Sequence, residues 1–296
     1  MIDLDELARA ASRLEPLSPS ATRLAALVCE GSPDLGEVVE IVRYDEALTA
    51  SLLRSANSSW SASRVEITTV RDAVIRLGAS PVLAMTLGRN VRSRLDSSLP
   101  EYGLGEGELW RHSVAASLAA ELLAPRALHR PPPEAATAAL LHDVGKLVMA
   151  RFLAPPVLAA LRDREQQGST PLEAETEVLG TDHAELGASI ARSWSLPESL
   201  VRGIREHGRA RADGDTLVHA VYLADVLAEA AGAGAGDNAL GDGPDVEAFA
   251  RAMGELGLSA TDFEELRLLV TQRLSEVESR FDDAPPVGAE GSDHRV

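Results

Sequence analysis

The 296-residue chain has one cysteine, Cys29, and one lysine, Lys146. A single thiol excludes an intramolecular disulfide and a cysteine-rich metal site, and the apolar run 24–28 before Cys29 reads as core. Aromatic residues make up 3%, too few for the stacking platforms that hold single-stranded nucleic acid. Positive charge is also scarce: 28 basic against 46 acidic residues leave a formal net charge of −18, which repels phosphate backbones and anionic headgroups. Nucleic acid is therefore not expected as a partner. A membrane is not expected either, because no stretch approaches the ~18 apolar residues of a spanning helix. Residues Met1 to Glu6 lack the basic and apolar regions of an export leader, so a cytoplasmic location is expected.

The chain is otherwise that of an ordinary globular protein, 45% hydrophobic and 25% charged, long enough to bury a sizeable core. Strand-like alternation is almost absent. Apolar residues recur at three- and four-residue steps, as in Leu35, Val38, Val39, Ile41 and Val42, then Leu48, Leu52 and Leu53, with Asp45 placed to cap the second of two helices. The same spacing predicts helices over 70–77, 81–91, 109–123, 133–141, 171–179, 183–194, 197–206 and 216–230. Thr170 before Pro171, and Asp182 before His183, are helix-start chemistry. The expected fold class is all-α.

Turn formers crowd 95–107 and set a boundary between an N-terminal helical subdomain, 1–106, and a second helical bundle, 107–230. A Gly, Ala and Asp run over 231–245 reads as a flexible linker, 246–281 as C-terminal helices, and 282–296 as a solvated tail. No internal repeat is evident.

The lone lysine lies in Leu140-Leu-His-Asp-Val-Gly-Lys146. His142 and Asp143 sit side by side where an apolar helix ends. An imidazole and a carboxylate there can point into one cavity and share a metal ion, with Gly145 letting the chain turn. His112 lies within the helix 109–123, His183 opens a helix and His207 closes one. Taken singly, these are a surface residue, an N-terminal polar residue and a C-terminal cation on the helix dipole. Asp225 is harder to dismiss, since a carboxylate in an apolar helix is costly unless paired or metal-bound. His219 reads as a packed helix residue, whereas His129 and His294 read as exposed. In the N-terminal block, Asp45, Asn57 and Ser58 read as caps and local hydrogen-bonding groups.

The order His112, His142-Asp143, Asp225 resembles the H…HD…D motif of the HD superfamily of metal-dependent phosphohydrolases, and His183 and His207 resemble the extra histidines of its two-metal members. More closely, about two thirds of the chain resembles the HDOD family, the HD-related output domains of bacterial signalling proteins. The matching segments are 44–58, Ala73 to Gly78, Trp110 to Ser113, Leu140 to Lys146, Asp182 to Gly187 and Trp194 to Pro197.

The resemblance implies an HD-type helical bundle and a signalling role, exercised through a protein partner or a phosphorylated small-molecule ligand. It also implies one or two divalent ions (Fe, Mn, Zn, Ni or Mg) on His112, His142, Asp143, His183, His207 and Asp225. The alternative is a phosphohydrolase. In that case Asp143 bridges two ions about 3.5 to 4 Å apart that acidify a water for in-line attack on phosphorus, and Lys146 neutralises a phosphate oxygen. Asp143 and Lys146 are thus the candidate catalytic residues. The related HD-GYP phosphodiesterases carry a Gly-Tyr-Pro motif after a histidine pair. The corresponding stretch here, Glu206-His207-Gly208-Arg-Ala-Arg, has one histidine and no such motif, which counts against cyclic-di-GMP hydrolysis.

Overall fold

A computed structural model describes residues 4–30, 33–43, 45–58, 66–209, 215–234 and 245–282. Most of the glycine-rich stretch 231–245 and the tail 283–296, with His294, lie outside the described residues, as does Tyr44. The expected all-α class is what the structure has: the described residues are helical with no strand, and the one β-type pairing is an isolated bridge between Leu99 and Leu104.

Six helices form the N-terminal part: α1 (Leu4–Ser12), α2 (Pro19–Cys29), α3 (Leu35–Val42), α4 (Glu46–Ala56), α5 (Val70–Leu77) and α6 (Ala79–Leu95). Each start from α2 to α5 is fixed by a side-chain cap. Ser18, Asp34, Asp45 and Thr69 accept from backbone N–H groups of the first turn, which removes donors the helix cannot satisfy itself. Asn57 bonds Ile67 through both its amide oxygen and nitrogen, a local tie of the kind its position suggested.

The remainder comprises α7 (Glu108–Leu123), α8 (Ala135–Leu141), α9 (Lys146–Met149), α10 (Pro155–Gln166), α11 (Pro171–Leu179), α12 (His183–Ser193), α13 (Glu198–Glu206), α14 (Thr216–Ala230), α15 (Val246–Leu256) and α16 (Ala260–Asp282). Helix α7 is central, packed against α14, α8, α16 and α6. Its buried residues include Ala115, Ala116, Ala119 and Ala120, and those of α8 include Ala135, Ala136, Ala138 and Ala139. Methyl-sized side chains let these axes approach closely, so the residues between them are held within a narrow space. Helix α8 also meets α13 and α14, α12 lies on α13 and α9, and α1 packs on α12 and α9.

The periodicity reading predicted no helix over α1, α2, α9 or α10, and it placed the ends of α6 too close together. Helix α10 was not anticipated, because only Leu161 of its residues is buried and an apolar stripe is missing. The C-terminal helical stretch divides at Gly257, whose φ of 65° ends α15. Helix α6 starts two residues earlier than the 81–91 reading and ends four residues later.

Candidate metal centre

The end of α8 begins the site. The last carbonyls of a helix have no intrahelical partner. His142 follows α8 and His207 follows α13, and each imidazole donates Nδ1–H to the carbonyl three residues back, to Ala139 O at 2.6 Å and Ile204 O at 2.8 Å. His183 is the first residue of α12, capped by Asp182, and its Nδ1 lies 2.8 Å from Glu175 Oε2. His112, on α7, places Nδ1 2.6 Å from the carbonyl of Ala233, just beyond α14. All four rings thereby present Nε2 to a common centre. An N–H committed to a carbonyl or carboxylate on the far side fixes the tautomer and leaves the inward nitrogen as a lone-pair donor, the arrangement of metal-ligating histidines.

Two carboxylates complete the cluster. Asp225 Oδ1 lies 3.1 Å from His112 Nε2 and 3.5 Å from His142 Nε2. Asp143 divides its oxygens: Oδ2 faces His142 at 3.4 Å, His112 at 3.6 Å and Lys146 Nζ at 3.1 Å, while Oδ1 faces His183 at 3.3 Å and His207 at 3.9 Å. The ligand atoms of His112, His142 and Asp225 fall within 4.8 Å of one another, as do those of His142, Asp143 and His207. The structure thus brings together all six residues singled out in the sequence, and Lys146 with them. All are buried except Asp225, whose side chain is 24% exposed.

The electrostatics fit a cation. Burial pulls the His142 imidazole down, but Asp143 and Asp225 outweigh it and push its pKa up to about 9. Burial likewise opposes charge on His183, and Glu175 and Asp143 overcome it, to about 10. His207 goes the other way, to about 3, through burial and then the like charges of His142 and His183. Both aspartates stay ionised despite burial, Asp143 because of His142, Lys146 and His183, and Asp225 because of His142 and His112. Protons on two crowded imidazoles do here what a divalent ion could do instead. Asp143 Oδ2 is buried and accepts no hydrogen bond of good geometry, Lys146 being an ion contact, so the donor set has a place for an ion. Imidazole and carboxylate ligands suit borderline divalent metals.

Gly145 serves a different purpose from the expected tight turn. Its φ and ψ, −65° and −27°, are ordinary right-handed values. What it permits is approach: a Cβ would fall on the carbonyl oxygen of His183 and 2.7 Å from Gly187 N. The missing side chain lets the His142–Lys146 turn press on the start of α12.

Two residues escaped the sequence reading. Glu175 reads as one more acidic residue of α11, yet Leu172, Glu175 and Leu179 share a buried face, and a carboxylate on an apolar stripe was the available signal. Tyr102 lies in the turn between α6 and α7, and nothing in its surroundings distinguishes it. His219 is fully buried on α14, as anticipated, and His129 is exposed.

Comparison with known proteins bears on this geometry. The HDOD domain family matches residues 14–210. An HDOD domain protein of unknown function from Geobacter sulfurreducens shares the fold, with a TM-score of 0.69, 23% identity and coverage of 95% of this chain and 99% of that one. A candidate phosphohydrolase from Shewanella amazonensis SB2B is 25% identical, with a TM-score of 0.59 over 93% of this chain and 94% of that one. A candidate signal transduction protein from Marinobacter aquaeolei VT8 is also 25% identical, with a TM-score of 0.62 over 95% of this chain and 60% of that one. An uncharacterised protein of Treponema pallidum (strain Nichols) is 24% identical over 178 residues, which is 60% of this chain but 34% of that relative. No described helix is long and apolar enough to cross a membrane. With the family match spanning most of its length, the chain belongs to the HDOD domain family.

Proposed function

We propose that this protein acts in a cytoplasmic signalling pathway through a divalent-metal centre, and that the centre hydrolyses a phosphoester of a small molecule. One observation carries the reading: four imidazoles turn Nε2 inward, each with Nδ1 engaged on its far side, around an Asp143 whose two oxygens face different ligand pairs. His112, His142 and Asp225 would hold one divalent ion, and Asp143, with His142, His183 and His207 around it, offers donors for a second. When bound, such ions would acidify a water and neutralise developing negative charge. The chain's own groups do the rest. Lys146, anchored on Asp143, offers an ammonium to a phosphate oxygen, and the partial exposure of Asp225 gives the side from which a substrate can approach.

The test is a screen of phosphomonoesters, phosphodiesters and nucleotides with protein loaded with Mn²⁺, Fe²⁺ or Zn²⁺, beside Asp143→Ala. Turnover lost in the variant is expected; no turnover by fully metallated protein overturns hydrolysis.

A second reading keeps the ions as structural and places the function in partner binding. It draws on the N-terminal helices α1–α6, none of which supplies a candidate ligand, and on the likeness to the Marinobacter protein. Substitutions across the exposed faces of α3 to α5 that abolish capture of a partner would support it, and intact capture across the whole set would exclude it.

A further inference from the structure

We propose that Glu175 is the positioning residue of the metal centre, and that Tyr102 holds it in place, so that one buried chain of contacts fixes both His183 and Lys146. The inference rests on the metal reading above and concerns two residues outside the ligand set.

Glu175 and His183 are joined twice. Glu175 Oε2 accepts the backbone N–H of His183 at 2.7 Å and its Nδ1–H at 2.8 Å. The first bond satisfies an N-terminal donor of α12, and the second sets the ring's tautomer and its rotation. A carboxylate behind an imidazole also makes the opposite nitrogen a stronger donor. The other oxygen, Oε1, accepts from Tyr102 Oη at 2.9 Å. Glu175 and Tyr102 are both buried, at 3% and 5% exposure, so water does not compete for these bonds.

Tyr102 has a second contact. Lys146 Nζ stands 5.3 Å from the centroid of its ring, within range of a cation–π attraction, and 3.1 Å from Asp143 Oδ2. The contacts therefore close a loop through Tyr102, Glu175, His183, Asp143 and Lys146. Displacing Tyr102 loosens both the imidazole at one end and the ammonium at the other. A role confined to packing would be met equally by an apolar residue of similar volume at 175, which could neither hold the Nδ1 proton nor anchor the Tyr102 hydroxyl.

The experiment uses the full chain, stripped with chelator and titrated with Zn²⁺ by calorimetry. The His183 Nδ1–H resonance of the loaded protein is followed by NMR. Glu175→Ala is expected to weaken Zn²⁺ binding about 10- to 100-fold and to expose the Nδ1 proton to rapid solvent exchange. Glu175→Gln keeps the shape and one acceptor oxygen; it should recover part of the affinity and retain the protected proton, and it decides the case if the alanine variant does not fold. Tyr102→Phe should weaken binding less than Glu175→Ala while leaving the proton in place. A wild type that binds Zn²⁺ beside Glu175 variants within twofold, with the proton still protected in Glu175→Ala, overturns the inference alone. A wild type that takes up no Zn²⁺ overturns the metal reading, and this inference with it.

Discussion

Gly145→Ala is the sharpest probe of how the site is assembled. The residue has helical dihedrals, so alanine meets no backbone strain there, and reduced freedom of the unfolded chain would by itself favour the variant by about 0.4–1 kcal/mol. Against that stands the packing. The new Cβ meets the His183 carbonyl, lies 2.8 Å from its carbonyl carbon and 2.7 Å from Gly187 N, all backbone atoms of α12 that no rotamer change can move aside. Overpacking typically costs 1–3 kcal/mol, and a rigid neighbour places this case at about 3. The net loss is about 2 kcal/mol, a fall in Tm of about 4 °C for a chain of this size. The displacement needed also separates Asp143 from His183, now 3.3 Å apart, so metal content should fall. Calorimetric melting with metal analysis by inductively coupled plasma mass spectrometry measures both. Gly187→Ala is the comparison: its Cβ would lie 2.9 Å from the Ile204 Cγ2 methyl and 3.5 Å from the nearest backbone atoms, so one side-chain methyl rather than three backbone atoms must give, and a smaller loss than at Gly145 is expected. A Gly145→Ala protein that melts within about 1 °C of wild type and keeps its metal would refute the close-approach argument.

Other expectations follow from the same geometry. His142 and His183 have pKa values raised above the ordinary ~6.5, so in chelator-treated protein their stabilisation is complete below about pH 6.5 and is lost as pH rises toward 9 to 10. Tm of that form should decline across this window, and a flat profile would contradict it. Since the same protons must leave for a cation to bind, Zn²⁺ affinity should climb from about pH 6 to about pH 8, and a pH-independent affinity would count against these histidines as ligands. Thr170 and Glu173 cap α11 reciprocally, and Thr170→Ala should cost about 1 kcal/mol in urea unfolding; no change would mean the box is not formed in solution. Burial pushes the Cys29 thiol up to about 11, so a thiol reagent should label native protein far more slowly than unfolded protein at neutral pH.

Much of this was legible from residue order alone. Three- and four-residue spacing located most helices because each buries one stripe, as Val38 and Val42 do on α3. It predicted no helix over α1, α2, α9 or α10, the last because its stripe is a single leucine. Of the ligands, Asp225 stood out because a carboxylate in an apolar helix conflicts with local preference, and His142-Asp143 because the pair sits where α8 ends, whereas His112, His183 and His207 read singly as ordinary helix residues and joined the set only through the resemblance to the HD and HDOD families. What could not be read was how they are held. Ala139 and Ile204 serve through their carbonyls, and a backbone oxygen carries no mark in a sequence. Ala233 lies 121 residues from the His112 it orients, a distance only the packing of α7 on α14 closes. Gly145 was noticed for the wrong freedom: the space it leaves for α12 depends on a neighbour 38 residues away, not on its own dihedrals.

That dependence of His112 on Ala233 bears on how the molecule can be divided. The family match ends at residue 210, ahead of Asp225 and Ala233, and starts after α1, whose buried Leu7 and Ala11 lie on a helix backing α9 and α12. A fragment cut at those edges would keep five of the six candidate ligands, lose the carbonyl that orients His112 and bare the apolar back of the site. The portion of the chain most readily recognised by descent is thus smaller than the portion that makes the centre, and inheritance of the motif by another protein says little about its competence unless a counterpart of α14 travels with it.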